Sequence, residues 1–141
     1  MAASGTGTFD NDHAGQFVSS LLSVDHAAAS NSVTAALRSV EEAGDTLSGK
    51  AADEGRVAVA LLLAEQQPSV LDGAPEEDGL RGYLRDLDTE LTPSRRTLAE
   101  AVLNRIVLPE ANDWYAGWTD PEQRNAAVAS VRQLADLLED S

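Results

Sequence analysis

Apolar residues along the chain recur mostly with helical spacing, and one stretch departs from that pattern by being apolar on nearly every side. Residues 56–65 carry the run Val-Ala-Val-Ala-Leu-Leu-Leu-Ala in their middle. A helix hydrophobic all round has to be enclosed. Every other helical pattern has a single apolar face, so those faces are expected to pack around this segment. The pattern therefore predicts an all-α fold, one domain over residues 1–141. It is a bundle of five to six helices around a central apolar helix at about 50–66, preceded by an extended Gly-rich N-terminal segment over residues 1–8.

In Asp10-Asn11-Asp12 each residue can cap a helix, because a short side-chain oxygen accepts the open N–H groups of the first turn and a carboxylate suits the positive end of the helix dipole. With Asp10 as the cap, Phe9 and Ala14 hold the positions of a hydrophobic staple. Ala14, Phe17, Val18, Leu21 and Leu22 then give a first helix over 12–23. Residues 25–30 read as a connection. Ser30 or Asn31 caps a second helix with the stripe Val33, Ala36, Leu37 and Val40, ending at Gly44. Ser48 opens the central helix, which Pro68 closes after Gln67.

Residues 71–79 read as a loop, with Glu76-Glu77-Asp78 as a solvated charge run. Leu80, Tyr83, Leu84 and Leu87 have helical spacing, against which Gly82 counts. Thr92-Pro93 is a capping hydroxyl followed by proline at the first helical position. Leu98, Ala101, Val102 and Ile106 mark the buried side of that helix, and Pro109 ends it. Asn112-Asp113 starts a short turn carrying Trp114, Tyr115 and Trp118, broken at Gly117. The last helix opens with Asp120 as cap, Pro121 first and Gln123 third, and buries Ala127, Val128, Val131, Leu134, Ala135 and Leu138.

Composition narrows the class. The chain has 141 residues, no cysteine and few aromatics, so its core is built mainly from Ala, Val and Leu. Disulfides, thiolate metal sites and a thiol nucleophile are excluded. The formal charge of −14 argues against nucleic acid and against an anionic membrane, since both rely on Lys and Arg at the contact. A basic protein or a cation would be attracted, although solubility alone accounts for such charge. Lys50 as the single lysine, with abundant Ala, hints at a high-GC bacterial genome. The N-terminus lacks the basic and apolar regions of a secretory signal, and no apolar run is long enough to span a membrane, so the expected location is the cytoplasm.

Candidate chemistry is sparse. His13 and His26 are the two histidines, each preceded by an Asp. Their separation of thirteen positions spans about 20 Å as helix, too far to share one metal ion. Capping carboxylates beside surface histidines account for both. Asp10 and Asp12 alternate like the start of a calcium loop, but Leu21 stands where the closing Glu would be. No serine-nucleophile elbow, zinc-protease motif or phosphate loop is present. Trp114 and Trp118, four apart, share one face of a turn and could wall a pocket or anchor a partner; anchoring the short turn to the core is the favoured explanation.

The opening Gly5-Thr6-Gly7-Thr8-Phe9-Asp10-Asn11-Asp12-His13-Ala14 resembles the start of a bacterial family known as domain of unknown function 4259, whose members begin Trp-Gly-x-Gly-x-Phe-x-Asn-Asp-x-Ala-x-Asp. Gly5, Gly7, Phe9, Asn11, Asp12 and Ala14 match. Ser4 stands for the Trp and Gln16 for the last Asp, which removes a carboxylate from any metal site at the first turn. The Trp114 to Trp118 turn and the helix after it are similar to the family's close. The resemblance implies a small single-domain protein and assigns no catalytic residue.

Three functional expectations follow. The first is a noncatalytic acidic interaction protein, without cofactor, that masks a basic protein partner. The alternative is a small-ligand or divalent-metal site, or an enzyme, around Asp10, Asn11, Asp12 and His13, near Trp114 and Trp118. A homo-oligomeric scaffold is the third reading.

Overall fold

The computed structural model describes residues 7–87 and 90–140. These form seven α-helices: α1 (Asp12–Leu22), α2 (His26–Glu41), α3 (Gly49–Leu63), α4 (Glu77–Leu84), α5 (Pro93–Ile106), α6 (Asp113–Ala116) and α7 (Pro121–Glu139). A 3-10 turn, Pro68–Leu71, lies between α3 and α4. Among the described residues there is no strand, only an isolated parallel bridge between Leu47 and Asn112.

α3 is the centre. Every residue from Val57 to Leu63 is buried, at most 2% exposed, because α1, α2, α5, α6, α7 and the 3-10 turn all pack on it. Enclosing each of its Val and Leu side chains is worth about 1.5–3 kcal/mol, which makes this helix the largest single contributor to the core. Small residues let the neighbours come close. At Gly55 an added Cβ would sit 2.7 Å from Val40 Cγ2 and 3.3 Å from Val102 Cγ1, so α2 and α5 both rest against the bare backbone of α3.

Helix ends differ from the expected ones where a competing cap wins. Asn11, not Asp10, caps α1, its Oδ1 accepting the Ala14 N–H at 2.8 Å. Asp10 instead accepts the Gly7 N–H at 3.1 Å and closes a turn before the helix. α2 begins at His26, inside the stretch expected to be a connection, because Asp25 Oδ1 takes the Ala28 N–H at 2.8 Å. That adds Ala29 to the buried stripe of Val33, Ala36, Leu37 and Val40. α3 stops at Leu63 in a turn, and Pro68 opens the 3-10 segment beyond it.

The 71–79 region is not all loop. α4 starts at Glu77, whose carboxylate accepts the Gly73 N–H at 2.9 Å and pairs with Arg81 at 3.0 Å. Part of the Glu76-Glu77-Asp78 run is thus a helix start, with Glu76 entering it in the left-handed region at φ 50°. The helix total exceeds five to six because the Trp114 turn closes as α6, capped by Asn112.

Candidate functional site

Among the described residues, a buried polar cluster that joins several helices gathers on Asp53, in the second turn of α3. Its residue is 8% exposed. Oδ1 accepts the Trp114 Nε1–H from α6 at 3.0 Å. Oδ2 lies 2.9 Å from Nδ1 of His13 in α1. With Asp53 ionised, Nδ1 carries the proton and donates, which turns Nε2 to the far side of a ring whose side chain is 42% exposed. A single carboxylate therefore fastens α1 and α6 to α3.

Arg56 follows one helical turn later and is fully buried. Its Nη1 is 3.7 Å from Asp53 Oδ1, its Nη2 donates to Ser130 Oγ of α7 at 3.3 Å, and its guanidinium carbon lies 5.4 Å from the centre of the Trp114 ring. Burial pushes its pKa down from the ordinary guanidinium range to about 10, with Asp53 and then Asp10 pulling it back up. It therefore stays charged at neutral pH, held between a carboxylate and an indole face.

The segment carrying Trp114 is fixed from below. Asn112, 4% exposed, donates from Nδ2 to the carbonyls of Ile106 and Leu108, each at 2.7 Å, and accepts the Tyr115 N–H at 3.0 Å. Leu47 donates to Ala111 O and accepts from the Asp113 N–H, both at 2.8 Å. Trp118 packs edge to face on Trp114, centroids 6.1 Å apart at 80°.

Of the residues singled out from the sequence, His13 and Trp114 are brought together through Asp53. Trp118 joins them through Trp114. Asp10 reaches the cluster only through its field on Arg56, Asn11 serves as a cap, and Asp12 is exposed in the first turn of α1. His26 stacks on Tyr83 at 4.5 Å and 25°. Among the described residues no group of three or more His, Asp and Glu side chains is placed to hold a metal ion. Asp53 and Arg56 themselves were not singled out. The available signal was an Asp and an Arg three apart at the start of a helix that must be enclosed, since charges taken into a core need partners.

The fold and this cluster define a small acidic helical bundle whose buried Asp-Arg pair ties three other helices to the central one. The chain belongs to the family described as Domain of unknown function (DUF4259), whose model matches residues 2–130. The match spans every residue of the Asp53 cluster, Ser130 included. No curated protein and no solved structure matches the chain.

Proposed function

We propose that the chain is a noncatalytic, cytoplasmic binding protein that receives a basic protein on an acidic surface. The observation that carries this reading is the sidedness of its charge. The chain has 24 Asp and Glu residues against 10 Lys and Arg, and among the described carboxylates only Asp53 is buried.

Six of the nine guanidiniums, in contrast, turn inward onto the protein's own groups, while Arg38, Arg85 and Arg132 are exposed. Arg81 donates to Pro68 O, Arg95 to Glu90 O, Arg96 to Leu138 O and Arg105 to Ala111 O. Arg124 lies over the Tyr115 ring, and Arg56 is in the core. Most of the cations thus brace the fold while the carboxylates other than Asp53 lie toward solvent, a distribution that draws a positively charged partner and speeds its approach. The Asp53 cluster supports the noncatalytic part of the reading. Both carboxylate oxygens are engaged by side chains of other elements, so its chemistry is spent on holding helices.

The test is capture from a lysate of the native host with the whole chain as bait, at about 50 and about 300 mM salt, which span the range over which surface attraction is screened. The reading predicts proteins of high isoelectric point retained at the lower salt and released at the higher. Recovery of no salt-sensitive partner, or of acidic ones only, would overturn it.

A further inference from the structure

We infer that the cleft between α4 and the C-terminal end of α3 is a binding site for a small amphipathic cation, an ammonium carried on a compact apolar body. The site is separate from the protein-binding role proposed above, and neither depends on the other.

The cleft measures about 660 Å³, within the range of small-molecule sites. Its floor is apolar. Ala64 caps α3, Pro68 and Leu71 come from the 3-10 turn, Leu84 ends α4, and Leu87 follows it. Leu71 and Leu87 are only 2% and 7% exposed, so the cleft ends on the hydrophobic core. An alkyl or ring body laid against such a floor gains affinity by leaving water.

The wall formed by α4 is fixed before anything binds. Arg81, which lines the cleft, donates from Nη1 to Pro68 O at 2.9 Å, from Nη2 to Asp72 Oδ1 at 2.9 Å and from Nε to Glu77 Oε2 at 3.0 Å. This one guanidinium fastens α4 to the 3-10 turn across the cleft. Tyr83, two positions on and so near the opposite side of the helix, donates to Val24 O and stacks on His26. A wall held on both sides has little freedom to lose when a ligand enters.

Charge selects the head group. Glu65 and Glu90 line the cleft and are exposed, as is Arg85. With Glu77 and Asp72 counted against Arg81, four carboxylates stand here to two guanidiniums. The C-terminal ends of α3 and α4 also border the cleft, at Ala64 and at Leu84, and helix C-termini carry partial negative charge. An ammonium is therefore drawn to the mouth and a carboxylate repelled.

The experiment is titration of the whole isotope-labelled chain with octylammonium, octanol and octanoate, each below its micellar concentration, followed by amide NMR. The three share one apolar body and differ in the charge of the head. Three variants are compared with the wild type: Glu65→Gln at the cleft, Glu139→Gln at the end of α7 as a control that removes equal charge elsewhere, and Ala64→Phe, which fills the cleft. If Ala64→Phe does not fold by circular dichroism, the head-group series and the two charge variants decide alone.

The inference expects octylammonium to shift the amides of Leu71, Leu84 and Leu87, and to bind about fivefold tighter than octanol and at least about tenfold tighter than octanoate. Glu65→Gln should weaken it by about fivefold, Glu139→Gln by less than about twofold, and folded Ala64→Phe should not bind it. Octylammonium that leaves those three amides unshifted, octanol or octanoate binding as tightly, equal losses from Glu65→Gln and Glu139→Gln, or undiminished binding by folded Ala64→Phe would each overturn it.

Discussion

Asp53→Asn is the substitution that most sharply separates a fold organised on the Asp53 cluster from one that merely contains it. The side chain keeps its size and an oxygen to accept the Trp114 indole N–H, so packing is little changed. What disappears is the negative charge 3.7 Å from Arg56 Nη1; in place of the second oxygen an amide NH2 faces His13 Nδ1, which accepts from it in the other neutral tautomer. An opposite charge at that range is worth about 4 kcal/mol at the effective dielectric of a protein. Arg56 already bears a burial penalty with Asp53 in place, its pKa lowered to about 10 by desolvation.

Removing one partner of a buried pair costs about 3–5 kcal/mol, and Asp10, Ser130 and the Trp114 face still attend the guanidinium, so ~3 kcal/mol is the expected loss. For a chain of this length that lowers the thermal midpoint by roughly 10 °C. Arg56→Met removes the charge and keeps an apolar stem. The double variant is accordingly expected to be more stable than Asp53→Asn alone, with a coupling of about 2 kcal/mol. Urea unfolding followed by circular dichroism and by tryptophan emission measures all three. A loss below about 0.5 kcal/mol for Asp53→Asn, or additive effects in the double variant, would refute the argument, since both lie within the range of an ordinary surface change.

Asn112→Ala strands the Ile106 and Leu108 carbonyls and removes the α6 cap, for an expected loss of about 3 kcal/mol in the same unfolding assay; a loss under about 1 kcal/mol contradicts the clamp described for this segment. Gly55→Ala gains helix propensity but drives a methyl into Val40 and Val102, so it is expected to destabilise by about 1–3 kcal/mol, and a stabilised variant would show that α2 and α5 do not press on that backbone. The Glu77 carboxylate is held below its ordinary value of 4.5, first by the Gly73 N–H and then by Arg81. Its stabilising contacts are therefore fully present above 4.5 and are lost as pH falls through the lower folded value. The Gly73 amide proton, followed by NMR, should shift with a midpoint below 4.5, and a midpoint at or above it would remove Glu77 from that role.

Much of the fold was legible because burial speaks through pattern. An apolar run such as Val57 to Leu63 has no polar side to offer water, and the central place of α3 follows from that alone. Thr92-Pro93 and Asp120-Pro121 mark the starts of α5 and α7 because a capping oxygen and a proline act locally. Asp25, Asn11 and Glu77 misled for the opposite reason. Several residues near each could cap, and the choice is made by which turn can bury its apolar side, as Ala29 does for α2. The Asp53 cluster lay further out of reach, since His13, Asp53 and Trp114 are distant in sequence and meet only when α1 and α6 dock on α3. Trp114 and His13 were visible as candidates by their chemistry, whereas nothing local marks the carboxylate that joins them.

The account stands on the enclosure of α3, and native-state hydrogen exchange of its amides tests that most directly. From Val57 to Leu63 the amides should exchange only through global unfolding, with a free energy equal to that from urea, while those of the short α4 open more easily. Exchange from Val57 to Leu63 as rapid as that of α4 would place the helix at the periphery and contradict the fold on which the binding surface is built.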